Sequence, residues 1–82
     1  MSEKIKELHL KFAAERGLDK TYCPSEVAKE YAPNDWRARM DLVRDVADTL
    51  VESGDLVVLQ QGKIIGQRPT EAKGPIRLRK GK

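Results

Sequence analysis

The sequence predicts one α+β domain in which three helices are followed by a β-hairpin. Up to Ser53, apolar residues recur at spacings of three and four, the pattern of helices with one buried face. After Gly54 the pattern changes to two short apolar runs on either side of Gln61 and Gly62, as in a hairpin with a tight turn. Most prolines and glycines lie at the ends of these segments rather than inside them.

The first helix is predicted from Ser2, a good N-cap residue, to about Arg16. Gly17 follows as the natural C-cap, because glycine adopts the left-handed conformation without steric cost. Residues 19–23 are predicted to form a loop or one short extended piece. The apolar face of this helix consists of Met1, Ile5, Leu8 and Phe12.

The second helix is predicted to begin at Pro24, since the missing N–H of a proline costs nothing in the first turn. It ends before Pro33, because the residue that precedes a proline is forced out of helical geometry. Its inner face consists of Val27, Ala28 and Tyr31.

The third helix is predicted to end at about Ser53. The spacing permits either one long helix, or a short turn at residues 35–38, capped by Asn34, and then a longer helix from about 41. We favour the second arrangement because Asp41 can act as an internal N-cap. The apolar face consists of Trp36, Met40, Val43, Ala47 and Leu50.

Two strands are predicted at residues 55–60 and 63–67, joined by a turn in which Gly62 takes a positive φ. Residues 68–75 contain two prolines and a glycine and are predicted to be a loop. Residues 76–79 alternate apolar and basic side chains and are predicted to add a short third strand.

The 82 residues fit one small domain, predicted at residues 1–79, with a flexible basic C-terminus at 80–82. A domain of this size buries only about 60–65% of its unfolded surface, so each large apolar residue matters. The predicted core residues are Ile5, Leu8, Phe12, Val27, Ala28, Tyr31, Trp36, Met40, Val43, Ala47, Leu50, Leu56 and Val58.

Composition and charge exclude several classes of protein. The apolar stretches are too short to span a bilayer, and the N-terminus lacks the apolar run of a signal peptide. With one cysteine, no internal disulfide is possible, and we expect a cytoplasmic location. The net charge of +3 is uneven: residues 1–40 carry +1, residues 41–66 carry −3 and residues 67–82 carry +5.

Three helices followed by a hairpin is the element order of a winged helix-turn-helix domain, in which the hairpin is called the wing. Residues 48–58 resemble the end of a recognition helix that passes through a glycine into the wing. Residues 21–37, 43–56 and 73–81 together resemble a bacterial family of small winged-helix proteins of unknown function. The resemblance implies the fold, and no established activity comes with it.

The third helix is poorly suited to ordinary docking in the major groove of DNA. Its predicted solvent face carries four carboxylates and one arginine, and phosphates would repel such a stripe. These carboxylates are interpreted as a solvated face paired with Arg37 or Arg44, or as a surface for a basic partner or for the protein's own tail. The face consists of Asp41, Arg44, Asp45, Asp48 and Glu52.

Basic residues elsewhere support a nucleic-acid-binding or transcription-regulatory accessory domain that makes non-specific phosphate contacts with double-stranded DNA. The alternative is a protein-interaction module that uses the acidic third helix to bind an unknown protein partner. Neither reading involves a membrane. The candidate nucleic-acid-binding residues are Arg37, Arg39, Arg44, Lys63, Arg77, Arg79 and Lys80.

Candidates for chemistry are few, and we expect no enzymatic activity, no cofactor and no metal. His9 is predicted to be a boundary residue of the first helix, and there is no second histidine for a metal pair. Cys23 has no identifiable base and is predicted to be buried as a small hydrophobic residue. Trp36 is predicted to cap the core, with a stacking platform for a base as the alternative.

Leu50→Ala tests the predicted core. We expect it to lower the free energy of unfolding by about 2–4 kcal/mol, because burial is lost and a cavity remains. Urea unfolding of variant and wild type measures the difference. A change within about 0.5 kcal/mol would place Leu50 outside the core.

Overall fold

Three helices and a three-stranded antiparallel sheet make up the fold in the computed structural model, which describes residues 3–81. The predicted α+β class and element order are confirmed, whereas the predictions for Met1, Ser2 and Lys82 lie outside the described residues. The helices are α1 (Glu3–Arg16), α2 (Pro24–Tyr31) and α3 (Met40–Glu52), with a 3-10 turn at Trp36–Arg39. The strands are β1 (Leu56–Gln60), β2 (Lys63–Ile65) and β3 (Arg77–Lys80).

Local signals set the ends of α1 and α2 as predicted. Gly17 has a φ of +72°, and its N–H donates to the Ala13 carbonyl over 2.9 Å, which closes the last turn of α1. Pro24 opens α2, and the Cys23 N–H donates to the Glu26 carboxylate over 2.9 Å. This bond satisfies one of the donors that a helix start leaves free.

The region before α3 follows the second predicted arrangement, a short turn and then a longer helix. The predicted caps are wrong. The 3-10 turn passes into α3 through Arg39 and Met40, both in right-handed helical geometry, so Asp41 lies within the first turn of α3. Likewise Asp35, not Asn34, precedes the 3-10 turn.

The sheet has the order β2-β1-β3, so β1 is the central strand. Positive φ angles at Gln61 (+53°) and Gly62 (+82°) form the tight turn between β1 and β2. β3 pairs with the other side of β1 and continues through Lys80, and the Gly81 N–H donates to the Asp55 carbonyl over 2.8 Å. Lys80 is therefore the last residue of β3, and Gly81 is hydrogen-bonded beside the start of β1.

The core lies between the helices and one face of the sheet. Nine of the predicted core residues are buried, and Phe12, Tyr31, Trp36 and Met40 pack against them at the edge. Several further core residues come from β3, from the segment before α2 and from the long loop. They are Tyr22, Ala72, Ile76 and Leu78.

His9 is fully buried, which corrects its predicted boundary position. The Val43 carbonyl, 3.0 Å away, can only accept, so His9 Nε2 carries the proton and donates to it. Nδ1 of the neutral ring then accepts from the Tyr22 hydroxyl, which lies 2.8 Å away. Burial lowers the pKa of His9 below its ordinary value, and the bond to Val43 opposes this in part.

His9→Gln tests the neutral state of this ring. Between the lowered pKa of folded His9 and the ordinary value of about 6.5, the unfolded chain binds more protons. The wild-type free energy of unfolding should therefore fall as pH drops through that window, by at most about 1.4 kcal/mol per pH unit. Glutamine keeps an N–H donor for Val43 but does not titrate, so the variant should lose this slope while being less stable overall.

Urea unfolding of both proteins at about pH 7.5 and about pH 5.5 measures the slope. Glu26 and Glu71 have pKa values below the ordinary carboxyl range, so their contribution is lost only at lower pH. An equal slope in His9→Gln and wild type would show that His9 is not held neutral.

Candidate functional site

Successive side chains along each strand point to opposite faces of the sheet. One face packs on the core, and the other is turned away from it. Val58, Ile65 and Leu78 are in register on the core face. On the opposite face, Leu59 is in register with Ile64 and Arg77, and Val57 is in register with Arg79. We call this second set, Val57, Leu59, Ile64, Arg77 and Arg79, the outer sheet face.

The aliphatic residues of the outer sheet face are separate from the core, since Val57, Leu59 and Ile64 do not belong to the core cluster. Leu59 is only 8% exposed, whereas Ile64 is 57% exposed. None of the five residues of this face is acidic. The face therefore combines an apolar floor with two guanidinium groups.

Arg77 is fixed by the segment before α2. An isolated bridge between Tyr22 and Leu78 brings this segment alongside β3. Arg77 then donates from Nε to Thr21 Oγ1 (2.8 Å), from Nη2 to the Thr21 carbonyl (3.1 Å) and from Nη1 to Cys23 Sγ (2.9 Å). The guanidinium is exposed but held in one orientation, with N–H groups left for a ligand.

A carboxylate beside this segment, that of Glu26, is already engaged. Glu26 accepts from Arg16 over 2.6 Å and from the Cys23 N–H, and mainly the Arg16 bond holds the pKa of Glu26 below its usual value. Arg77 itself donates to a hydroxyl, a carbonyl and a thiol. The positive charge of Arg77 is therefore not consumed by a direct ion pair.

Arg79 is half-buried, and its Nε donates to the Lys80 carbonyl over 3.3 Å. At the other end of the outer sheet face, a depression of about 540 Å³ lies beside Arg77. Gln60, Lys73 and Cys23 also line it. Lys73 thus adds a further positive charge in the depression beside Arg77.

The face of α3 that was predicted to meet solvent is partly covered by the loop between β2 and β3. Arg44 donates to the Pro69 carbonyl (3.1 Å) and reaches the Gly74 carbonyl (3.4 Å). Asp48 accepts from the N–H and the hydroxyl of Thr70. Asp48 therefore has a partner in the loop rather than the predicted Arg37 or Arg44.

Arg68 completes this contact. It lies 3.0 Å from Glu52 and 3.1 Å from Glu71, and these bonds raise its pKa above the usual value. Asp41 and Asp45 stay exposed on α3. We call residues 68–74 the covering loop; it neutralises part of the acidic stripe from within the chain.

The predicted basic residues do not form one surface. Arg37 lies over the Trp36 ring at 4.8 Å, with Lys29 at 4.7 Å, and Arg39 pairs with Asp35 over 3.3 Å. Lys63 alternates with Ile64 and so points away from the outer sheet face, and Lys80 lines a depression beside α1. Of the predicted basic residues in the described strands, Arg77 and Arg79 lie on the outer sheet face, and Lys63 and Lys80 lie on the opposite side of the sheet.

The other candidates have defined places in the fold. Cys23 is half-buried beside Arg77 rather than fully buried as predicted, and Trp36 is half-buried at the edge of the core. Within residues 3–81, no cluster of three or more histidine, cysteine or acidic side chains could hold a metal ion. In the same residues, no helix has the length and hydropathy needed to cross a bilayer.

Thr21, Val57, Leu59 and Ile64 were missed as parts of a site. The strand residues were read in the sequence, but β1 has apolar residues on both of its faces, so the sequence does not show which face meets the core.

A family model described as a protein of unknown function, DUF3253, matches residues 2–81 of the chain. The predicted membership of an uncharacterised family is confirmed, and the match carries no statement about fold or source. A comparison with curated proteins found no match.

Asp48→Ala tests the attachment of the covering loop. Loss of both bonds to Thr70 should lower the free energy of unfolding by about 1 kcal/mol and expose the loop. Trypsin should then cleave faster after Lys73, as followed by mass spectrometry; the Arg68–Pro69 bond is not a trypsin site. Asp45→Ala, an exposed carboxylate on the same helix, is the matched control, and equal cleavage in the two variants would contradict the attachment.

Proposed function

The chain belongs to the DUF3253 family, whose function is unknown, and we propose that it is a nucleic-acid-binding winged-helix domain that contacts phosphates with its outer sheet face. The observation that carries the proposal is that Arg77 and Arg79 lie on one face of the sheet together with the aliphatic residues Val57, Leu59 and Ile64. Guanidinium groups bind phosphate oxygens with short, charge-assisted hydrogen bonds.

The element order supports the winged-helix part of the proposal. Three helices precede a three-stranded antiparallel sheet, and β1 and β2 form a hairpin directly after α3. Docking of α3 in the major groove of DNA, the usual mode of a winged-helix domain, is disfavoured on steric and electrostatic grounds. The covering loop occupies part of its surface, and Asp41 and Asp45 remain exposed near its N-terminal end.

Among the predicted basic residues, Arg77 and Arg79 are therefore the proposed contacts, and Lys73 extends them. Arg44 is assigned to the fold, because its guanidinium binds carbonyl groups of the loop. Arg37 and Lys29 form a separate basic group around Trp36. With only two or three phosphates neutralised on the outer sheet face, we propose weak, non-specific binding with a Kd of roughly 10⁻⁴–10⁻⁶ M.

Arg79→Glu is the direct test, because the Arg79 side chain makes one long hydrogen bond among residues 3–81. We expect it to abolish binding to labelled random-sequence DNA, measured by fluorescence anisotropy. In the wild type, the affinity for duplex should fall roughly tenfold between about 50 and 200 mM salt if two phosphates are neutralised. Lys4→Glu makes the same change of charge on exposed α1 and should leave binding unchanged.

Equal losses in Arg79→Glu and Lys4→Glu would mean that net charge alone is responsible and would contradict a defined face. Absence of binding to both duplex and single strands at low salt would overturn nucleic-acid binding itself. The alternative of a protein partner at the exposed carboxylates Asp41 and Asp45 would then be pursued with charge reversals at those residues.

A further inference from the structure

We propose that the outer sheet face binds single-stranded nucleic acid in preference to duplex. The inference rests on the proposed function and names the ligand class of the same site. Phosphate binding explains the two arginines, but it does not explain the apolar residues that lie between and beside them. These apolar residues indicate a ligand that makes apolar contacts as well as phosphate contacts.

The apolar residues of the outer sheet face can pack on the exposed bases of a single strand, but a duplex offers them no exposed base faces. A duplex presents phosphates and sugars on its outside, with the faces of its bases stacked inside. A single strand exposes base faces, which pack on apolar and planar groups. Ile64, 57% exposed on the edge strand β2, and half-buried Val57 are placed for such packing.

The arginines supply planar groups as well as charge. Arginine guanidinium planes stack on bases, which lysine ammonium groups do not do. Three hydrogen bonds to Thr21 and Cys23 fix the plane of Arg77 before any ligand arrives. Less side-chain entropy is then lost on binding, and the same guanidinium can hold a phosphate at its edge.

The surface of α3 that would dock in the major groove of a duplex is acidic and partly covered. A recognition helix enters the major groove with its N-terminal residues. In α3 these include exposed Asp41 and Asp45, and the covering loop lies against the adjoining side through Arg44 and Asp48. Repulsion from phosphates therefore opposes duplex docking at α3, whereas the five residues of the outer sheet face include two arginines and no carboxylate.

The experiment compares three labelled probes of the same length: a thymidine strand of about 12 nucleotides, its duplex, and an abasic strand that keeps only sugars and phosphates. Anisotropy titrations at low salt give a Kd for each. We expect the thymidine strand to bind about threefold to tenfold more tightly than either other probe, because only it exposes bases.

Two variants identify the contacts. Arg79→Lys keeps the charge but removes the plane, and it should weaken thymidine-strand binding about threefold or more while leaving the abasic strand unchanged. Ile64→Ser should have the same selective effect through loss of apolar contact. Leu18→Ser is its matched control, since Leu18 is 53% exposed and lies in the connection between α1 and α2.

The outcomes separate the two proposals. Selective weakening by Arg79→Lys and Ile64→Ser, with Leu18→Ser equal to wild type, supports single-strand binding. A duplex or abasic strand that binds as tightly as the thymidine strand overturns this inference and leaves phosphate binding in place. No binding to any probe overturns both.

Discussion

The fold depends on one buried polar link, in which His9 joins the Tyr22 hydroxyl to the Val43 carbonyl. It connects α1, the segment before α2 and α3, three parts of the chain that no local signal brings together. Tyr22 also exchanges backbone hydrogen bonds of 2.8 and 2.7 Å with Leu78 in β3. The link therefore positions the segment that carries Thr21 and Cys23, and with it the guanidinium of Arg77. A buried ring with both nitrogens satisfied stabilises this arrangement, whereas a buried charge there would be costly.

The distribution of charge follows from a second long-range contact, that of the covering loop with α3. The segment 41–66 carries a net charge of −3, and the loop brings Arg68 to Glu52 and backbone or hydroxyl donors to Asp48. Part of the acidic stripe is thereby satisfied within the chain. The arginines of the outer sheet face have no such acidic partner in register. A net charge of only +3 thus leaves a locally positive face that the total charge does not reveal.

The helices were predictable because their signals are local. Gly17 and Pro24 act through their own backbone geometry, and apolar spacing identifies the buried face of each helix. The burial of His9 was not predictable, because its two partners lie 13 and 34 positions away. The same holds for the candidate site: the strand containing Arg77 and Arg79 was read from its alternation, but its neighbours on the outer sheet face depend on register. Only the structure shows that Arg44 donates to carbonyl groups of the covering loop. Likewise, only the structure shows that Lys63 and Lys80 point away from the outer sheet face.

The contact between Thr21 and Arg77 spans 56 positions, so the outer sheet face exists only when nearly the whole chain is folded. Closing so long a loop costs conformational entropy before any of its contacts form. A ligand on this face binds the folded chain and not a chain whose last strand has detached. Occupancy and folding are therefore thermodynamically linked, and each raises the population of the other by mass action. A ligand on the outer sheet face would therefore stabilise the folded chain as a whole.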